Sequence, residues 1–198
     1  IYCISYLENN EHFFKNKVFP RKNMKKKKLN LIKEKISFGT DGWRGILGVD
    51  FTLERLLKVA AASAQELANV REKKNNKIII GYDRRFLAEE MAEAVASAIR
   101  GVELVPLLAS SSLPTPSCSW GVIEENALGA LVITASHNPS EWLGLKIKGP
   151  FGGSVDSSFT DSVQKRLEAG GISIPLEGAT KKIDFRKQHL QGISQKFD

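Results

Sequence analysis

The stretch of residues 129–154 reads GALVITASHNPSEWLGLKIKGPFGGS. Its apolar run at 130–134 predicts a buried strand that empties into a polar turn, Ala135-Ser136-His137-Asn138-Pro139, before alternation resumes over 143–148. A small hydroxyl is thereby placed at the mouth of a strand, where a rigid element fixes the backbone and a turn exposes one side chain. A serine hydroxyl is a weak nucleophile until a base, a metal or positive surroundings activate it. His137 is adjacent, Asn138 offers an amide, and Lys146 lies one strand later. The same residues also suit a plain capped turn, since Ser, Asn and Pro are ordinary turn formers. A Ser-His-Asp hydrolase fits less well: the serine lacks a Gly-x-Ser-x-Gly elbow, and the only other histidines are His12 and His189.

Working outward, strands alternate with helices. A helix N-capped by Thr52 carries Leu53, Leu56, Leu57, Ala60, Ala64 and Leu67 on one stripe. Residues 77–82 form a strand apolar on both faces, as a sheet covered on two sides requires. A second helix presents Leu87, Met91, Val95, Ala98 and Ile99 and stops at Gly101. A strand over 102–108 follows, then a helix opened by Pro114-Thr115-Pro116 that runs to about residue 126. Beyond Ser154 a last helix spans 156–169, with Phe159, Val163 and Leu167 on one face. Residues 36–38 are expected as an edge strand, followed by a loop in which Gly39, Gly42 and Gly45 let the backbone approach an anion. Arg44 in that loop offers a planar donor fork suited to phosphate, or else a guanidinium solvated on a turn; Trp43 reads as a packing residue. Asp83 and Arg85, at the end of the 77–82 strand, read as a pair that orders a loop.

Such alternation predicts a three-layer α/β/α domain on a mixed, mostly parallel sheet, with ligands outside the carboxyl ends of strands. Asp83 and Ser136 each follow a strand, so parallel strands would put their loops on one edge. The domain is expected over 36–171. Residues 172–198 read as a weakly patterned tail.

Composition bounds the class. The 198 residues are 42% hydrophobic and 26% charged, a globular profile, and no apolar run is long enough to span a bilayer. Two cysteines, Cys3 and Cys118, imply no disulfide framework and suit a reducing compartment, so a cytoplasmic location is expected; Cys118 reads as a small buried hydrophobe. The net charge of +7 would suggest nucleic acid, but residues 1–35 hold all of the excess, with ten Lys or Arg against three Glu. They are expected to form a basic, disordered extension. Neither nucleic acid nor membrane is expected as a partner. No Met precedes Met24, whose Lys25-Lys28 run follows at once, and translation is expected to begin there.

The string TASHNP, followed by Gly144-Leu145-Lys146 and GPFGGS, resembles the phosphoserine loop of the α-D-phosphohexomutase family. FGTDGWRG at 38–45 is similar to that family's amino-terminal signature, and GYDRR at 81–85 to its second strand end. The resemblance covers about residues 36–167 and implies the first of four domains. It further implies that phosphorylated Ser136 passes its phosphoryl group to and from a hexose phosphate, with a hexose bisphosphate as primer. By the same resemblance Arg44 faces the phosphoserine, His137 and Lys146 position the reacting hydroxyl or move its proton, and Thr134 and Asn138 brace the loop. Mg2+ would meet Ser136 through its phosphate, while the family's Asp-rich DGDxDR metal loop, sugar reader and phosphate clamp belong to domains whose motifs do not occur here.

Turnover by this polypeptide alone is therefore not expected, and the missing carboxyl-terminal domains are its implied partners. Trp142-Leu143 stands where relatives commonly have Tyr-Asn. The TASHNP and GWRG spellings lean towards glucose or mannose phosphate, with the phosphoglucosamine branch or a catalytically incomplete domain as alternatives.

Overall fold

Ile78-Ile79-Ile80 and Leu131-Val132-Ile133 have no polar face to offer solvent, and both runs lie at the centre of the sheet. In the computed structural model, residues 36–39, 41–70, 75–170 and 178–197 are described. The expected basic extension, the Met24 start and Thr40 lie outside the described residues.

Six strands pair in the order β1-β5-β4-β2-β3-β6: β1 is Trp43–Ile46, β2 Lys77–Tyr82, β3 Val105–Ala109, β4 Gly129–Ile133, β5 Trp142–Lys148 and β6 Lys181–Ile183. The β4/β2, β2/β3 and β3/β6 pairs are parallel, whereas β5 runs antiparallel to both β4 and β1. The sheet is mixed, as expected. Each of the three isoleucines of β2 is fully buried, which contributes roughly 1.5–3 kcal/mol per side chain relative to exposure.

Five helices are described: α1 Leu53–Val70, α2 Ala88–Gly101, α3 Thr115–Glu124, α4 Ser157–Ala169 and α5 Phe185–Phe197. Helices α1 and α2 meet through faces rich in buried alanine, Ala60, Ala61 and Ala64 on one and Ala92 and Ala96 on the other, which lets their backbones approach. Leu67 of α1 presses on Gly129, on the sheet face opposite the one that Cys118 of α3 meets at Gly81. Helix layers thus cover both faces. A Cβ at Gly81 would come 2.2 Å from the Cys118 sulfur, which explains a glycine inside the apolar β2 strand. Burial pushes the Cys118 thiol up to about 12, so it is an inert packing group, as expected.

Helix ends follow their chemistry. Asp156 caps α4 by accepting from the Phe159 amide at 2.9 Å. Helix α3 stops at Glu124, short of 126, because Asn126 takes the left-handed conformation (φ 49°) and turns the chain. Residues 102–104, expected as strand, instead close the end of α2 through amide bonds back to Ile99 and Arg100, with Glu103 at φ 61°.

Two further expectations are corrected. Residues 36–38 form no strand; the Gly39 amide bonds the Gly42 carbonyl at 2.7 Å, and the tight turn delivers the edge strand four residues later, as β1. Arg44 therefore sits on a strand, not in a glycine loop. The stretch read as weakly patterned carries β6 and α5, pinned by Phe185, which is 1% exposed and packs where Gly121 leaves room. Trp43 is a packing residue, as read, stacked on Phe51 with ring centroids 4.5 Å apart. Among the described residues no helix is long and apolar enough to cross a membrane.

Candidate functional site

Because β2 and β4 are parallel neighbours, their carboxyl ends share one edge, and the Asp83 amide bonds the Ile133 carbonyl at 3.1 Å across it. The 135–142 turn leaves β4 there. Thr134, buried, turns its hydroxyl oxygen to accept the Ser136 amide at 2.9 Å. Ser136 adopts φ 57°, a left-handed conformation that costs a non-glycine residue of order 1 kcal/mol and persists only where its surroundings impose it. Its side chain and that of His137 are exposed.

The imposing group is Arg85. Its Nη2 donates to the carbonyls of Ser136 (3.0 Å) and Asn138 (2.6 Å), and its Nη1 to those of Pro139 (2.7 Å) and Trp142 (3.1 Å). Asp83 orients it, ion-paired with Nε at 3.4 Å and accepting from the Arg85 amide at 2.9 Å. One planar fork thus gathers four carbonyls of the turn. The pair read as loop-ordering does order the loop.

Arg44 arrives from β1. The register sets it opposite Gly144 of β5, and its Nη1 donates to Asn138 Oδ1 at 2.7 Å. A Cβ at Gly144 would lie 2.9 Å from Arg44 Cγ, so the glycine of the Gly-x-Lys string lets the arginine lie across β5 towards the turn. Leu143, in the departure from Tyr-Asn, is fully buried, and Trp142 contributes its carbonyl to Arg85.

Lys146 follows two residues along the same strand face but is engaged elsewhere. Asp41 holds its Nζ at 2.5 Å, takes Lys148 at 2.9 Å and accepts the Ser154 hydroxyl at 2.7 Å. Burial works to raise the Asp41 carboxyl, but the hydrogen bonds from Lys146, Lys148 and Ser154 outweigh it and hold the group down at about 2. Asp41 reaches this position through Gly42 (φ 106°), where any Cβ would fall 2.0 Å from the Leu145 carbonyl oxygen. Sequence reasoning singled out Lys146 of β5 but neither Lys148 nor this carboxylate. Its signal lies in the Asp-Gly step of FGTDGWRG, which needs a residue with no Cβ immediately after the acid.

The turn therefore brings together Ser136, His137, Asn138, Thr134 and Arg44, with Arg85 beneath them and Lys146 tied to Asp41. Among the described residues no ring partner is fixed for His137, whereas His189, the other described histidine, meets Ser117 at 3.0 Å. Among the described residues no hydrolytic triad forms at Ser136. Nor do three His, Cys, Asp or Glu converge as a metal cage among the described residues: Asp41 is committed to two lysines and Asp83 to Arg85. Among the described residues a divalent cation finds no group of three His, Cys, Asp or Glu beside the oxygens at Ser136.

Comparison with known proteins follows the same outline. The family described as phosphoglucomutase/phosphomannomutase, alpha/beta/alpha domain I, matches residues 35–171. A phosphoglucosamine mutase of Mycolicibacterium smegmatis is 32% identical over 146 residues, which are 70% of this chain and 32% of that protein. A phosphoglucomutase of Staphylococcus aureus is 30% identical over 152 residues, 72% of this chain and 27% of that one. Among solved structures, a putative phosphomannomutase from Thermus thermophilus superposes with a TM-score of 0.75 at 29% identity, covering 84% of this chain and 37% of that one. The chain spans about a third of the length of the relatives it matches.

Proposed function

Because this chain belongs to the phosphoglucomutase/phosphomannomutase family through its α/β/α domain I, we propose that it is the phosphoryl-carrying domain of a hexose-phosphate mutase, with Ser136 as the carrier. The observation that carries this reading is the turn itself. The exposed hydroxyl of Ser136 stands at φ 57° on the sheet's carboxyl edge, its neighbouring carbonyls are bound by Arg85, and Arg44 reaches across β5 to Asn138 of the same turn.

In the proposed step a sugar hydroxyl attacks the phosphorus of phosphorylated Ser136. The new P–O bond forms to the sugar, the P–O bond to Ser136 breaks, and the proton of the attacking hydroxyl ends on the serine oxygen. His137, exposed beside Ser136, is the group suited to carry that proton. Arg44 neutralises oxygens of the transferring group, Lys146 supplies a fixed positive charge, and Thr134 and Asn138 hold the turn. A sugar bisphosphate formed in this way returns its other phosphoryl group to Ser136, which leaves the isomer and re-primes the domain. Mg2+ is the expected companion of such transfer, but the described residues provide no cage for it and no step here is routed through it.

Turnover is proposed to require the carboxyl-terminal domains, because the described residues around Ser136 include no clamp for the far phosphate of a sugar. A coupled assay with glucose, mannose and glucosamine phosphates, on this chain and on a version extended into the downstream reading frame, tests the reading. Activity confined to the extended protein is expected, and inactivity of that protein with Mg2+ and a bisphosphate primer contradicts it. A second reading concerns the sugar. The spelling of the two strings leans towards glucose or mannose phosphate, yet relatives at 32–33% identity are named phosphoglucosamine mutases; the same assay decides between them.

A further inference from the structure

Two ammonium groups and one carboxylate meet on β5. Asp41 takes both Lys146 and Lys148, Lys148 also donates to the Ser154 hydroxyl at 2.8 Å, and that hydroxyl donates back to Asp41, closing a ring of side chains. Lys148 is only 8% exposed and Lys146 is largely covered, so these pairs are shielded more than surface pairs are. Arg44 is different. Its partner is the neutral amide oxygen of Asn138, and among the described residues no carboxylate offsets it.

The register places these cations together. Arg44 pairs with Gly144, and Gly144, Lys146 and Lys148 alternate onto one face of β5. Three positive groups and one negative one leave this face with two net positive charges. A phosphate monoester carries about −1.5 to −2 near neutrality. With a third uncompensated cation the face would hold a phosphoryl group more firmly than a residue that must give it up can tolerate, since a bound state that is too stable raises the barrier to leaving.

We propose that Asp41 is a positioning residue that attenuates the serine site: it keeps the Lys146 ammonium beside its own carboxylate, so that a phosphate at Ser136 meets only part of that charge and stays exchangeable. This deepens, and rests on, the reading of Ser136 as a phosphoryl carrier. It also gives the FGTDGWRG string two tasks, Arg44 on β1 as the attracting charge and Asp41 in the turn before it as the restraint on Lys146.

The test uses the full chain, isotope-labelled, titrated with inorganic phosphate and followed through the amide resonances of Ser136 and His137. Asp41→Asn is expected to bind phosphate about five- to tenfold tighter than the wild type. Adding Lys146→Met to Asp41→Asn removes that gain, and Ser154→Ala, which keeps every charge, stays within about twofold. Unchanged or weaker binding by an Asp41→Asn protein that keeps its amide spectrum elsewhere overturns the proposal, as does absence of binding in all variants. Lys146→Met alone gives a second reading that needs no change at Asp41. A loss of less than about threefold fits an ammonium already largely committed to Asp41, and a loss of about tenfold or more overturns it. Phosphoryl uptake by Ser136 is scored separately, so failure of the carrier reading shows as an unlabelled serine and failure of this proposal as a wrong affinity pattern.

Discussion

The guanidinium of Arg85 donates to the carbonyl oxygen of Ser136 at 3.0 Å, and from the same fork to three further carbonyls of the turn. A left-handed serine is thus imposed by a residue fifty-one positions earlier, at the end of the neighbouring parallel strand. That relation ties the conformation of the candidate carrier to the register of β2 against β4.

Replacing Arg85 by lysine leaves a charge but only one point of attachment. Four carbonyls cannot be gathered by one ammonium, and the part-buried ones lose their partner. Arg85→Lys is expected to lower stability by about 2–3 kcal/mol, read as a fall in the denaturant midpoint, and to broaden the amide resonances of 136–142. A sharp, unshifted turn in that variant contradicts the clamp.

Ser136→Gly separates strain from chemistry. At φ 57° glycine carries no Cβ penalty, and its extra freedom in the unfolded chain cancels part of the gain. The variant is expected to match or exceed wild-type stability by up to about 1 kcal/mol while losing all phosphoryl uptake. Ser136→Ala, equally unable to carry phosphate, keeps the strain and shows no gain.

Asp41 sets a dependence on acid. Its folded carboxyl lies at about 2, below the ordinary value of 3.8, so the stability it contributes is complete above about pH 4 and is lost as pH falls through 2. That contribution is roughly 2 kcal/mol. Asp41→Asn is therefore expected to be less stable than wild type by this amount at neutral pH, and the two unfolding curves are expected to converge between about pH 4 and pH 2. A gap that keeps its neutral-pH size at pH 2 contradicts the ion-pair account.

Phe185 tests whether the chain beyond 177 belongs to the core. The ring is 1% exposed and fills the space left by Gly121. Phe185→Ala is expected to cost about 3–5 kcal/mol, measured by chemical denaturation. A cost below about 1 kcal/mol means α5 only rests on α3.

Much of this was legible in the chain, for identifiable reasons. The two-sided apolar runs of β2 and β4 admit no other place than the sheet's centre, and a strand emptying into Ser-His-Asn-Pro fixes which edge bears the candidate carrier. Beyond them, legibility fails where an element lacks a hydrophobic period. Strand β6 is three residues, Lys181-Lys182-Ile183, on an edge, and α5 has no continuous apolar stripe; it is held by Phe185 against Gly121, by Gly192 against Trp120 and by His189 at Ser117. Strand β1 is displaced from its expected place because a turn between two glycines, invisible to hydrophobic periodicity, sets where pairing begins. At the site, Arg85 was readable as loop-ordering but not as a four-carbonyl clamp, and Asp41 left no signal but its Asp-Gly step. Both act across strands that only the fold brings together.

Phosphopeptide mapping of the extended protein, after exposure to a hexose bisphosphate, addresses the central claim most directly. The account predicts a single phosphoryl group on the peptide bearing Ser136, removed by incubation with excess hexose monophosphate and absent from Ser136→Ala. Label on any other residue, or mutase activity undiminished in Ser136→Ala, contradicts it.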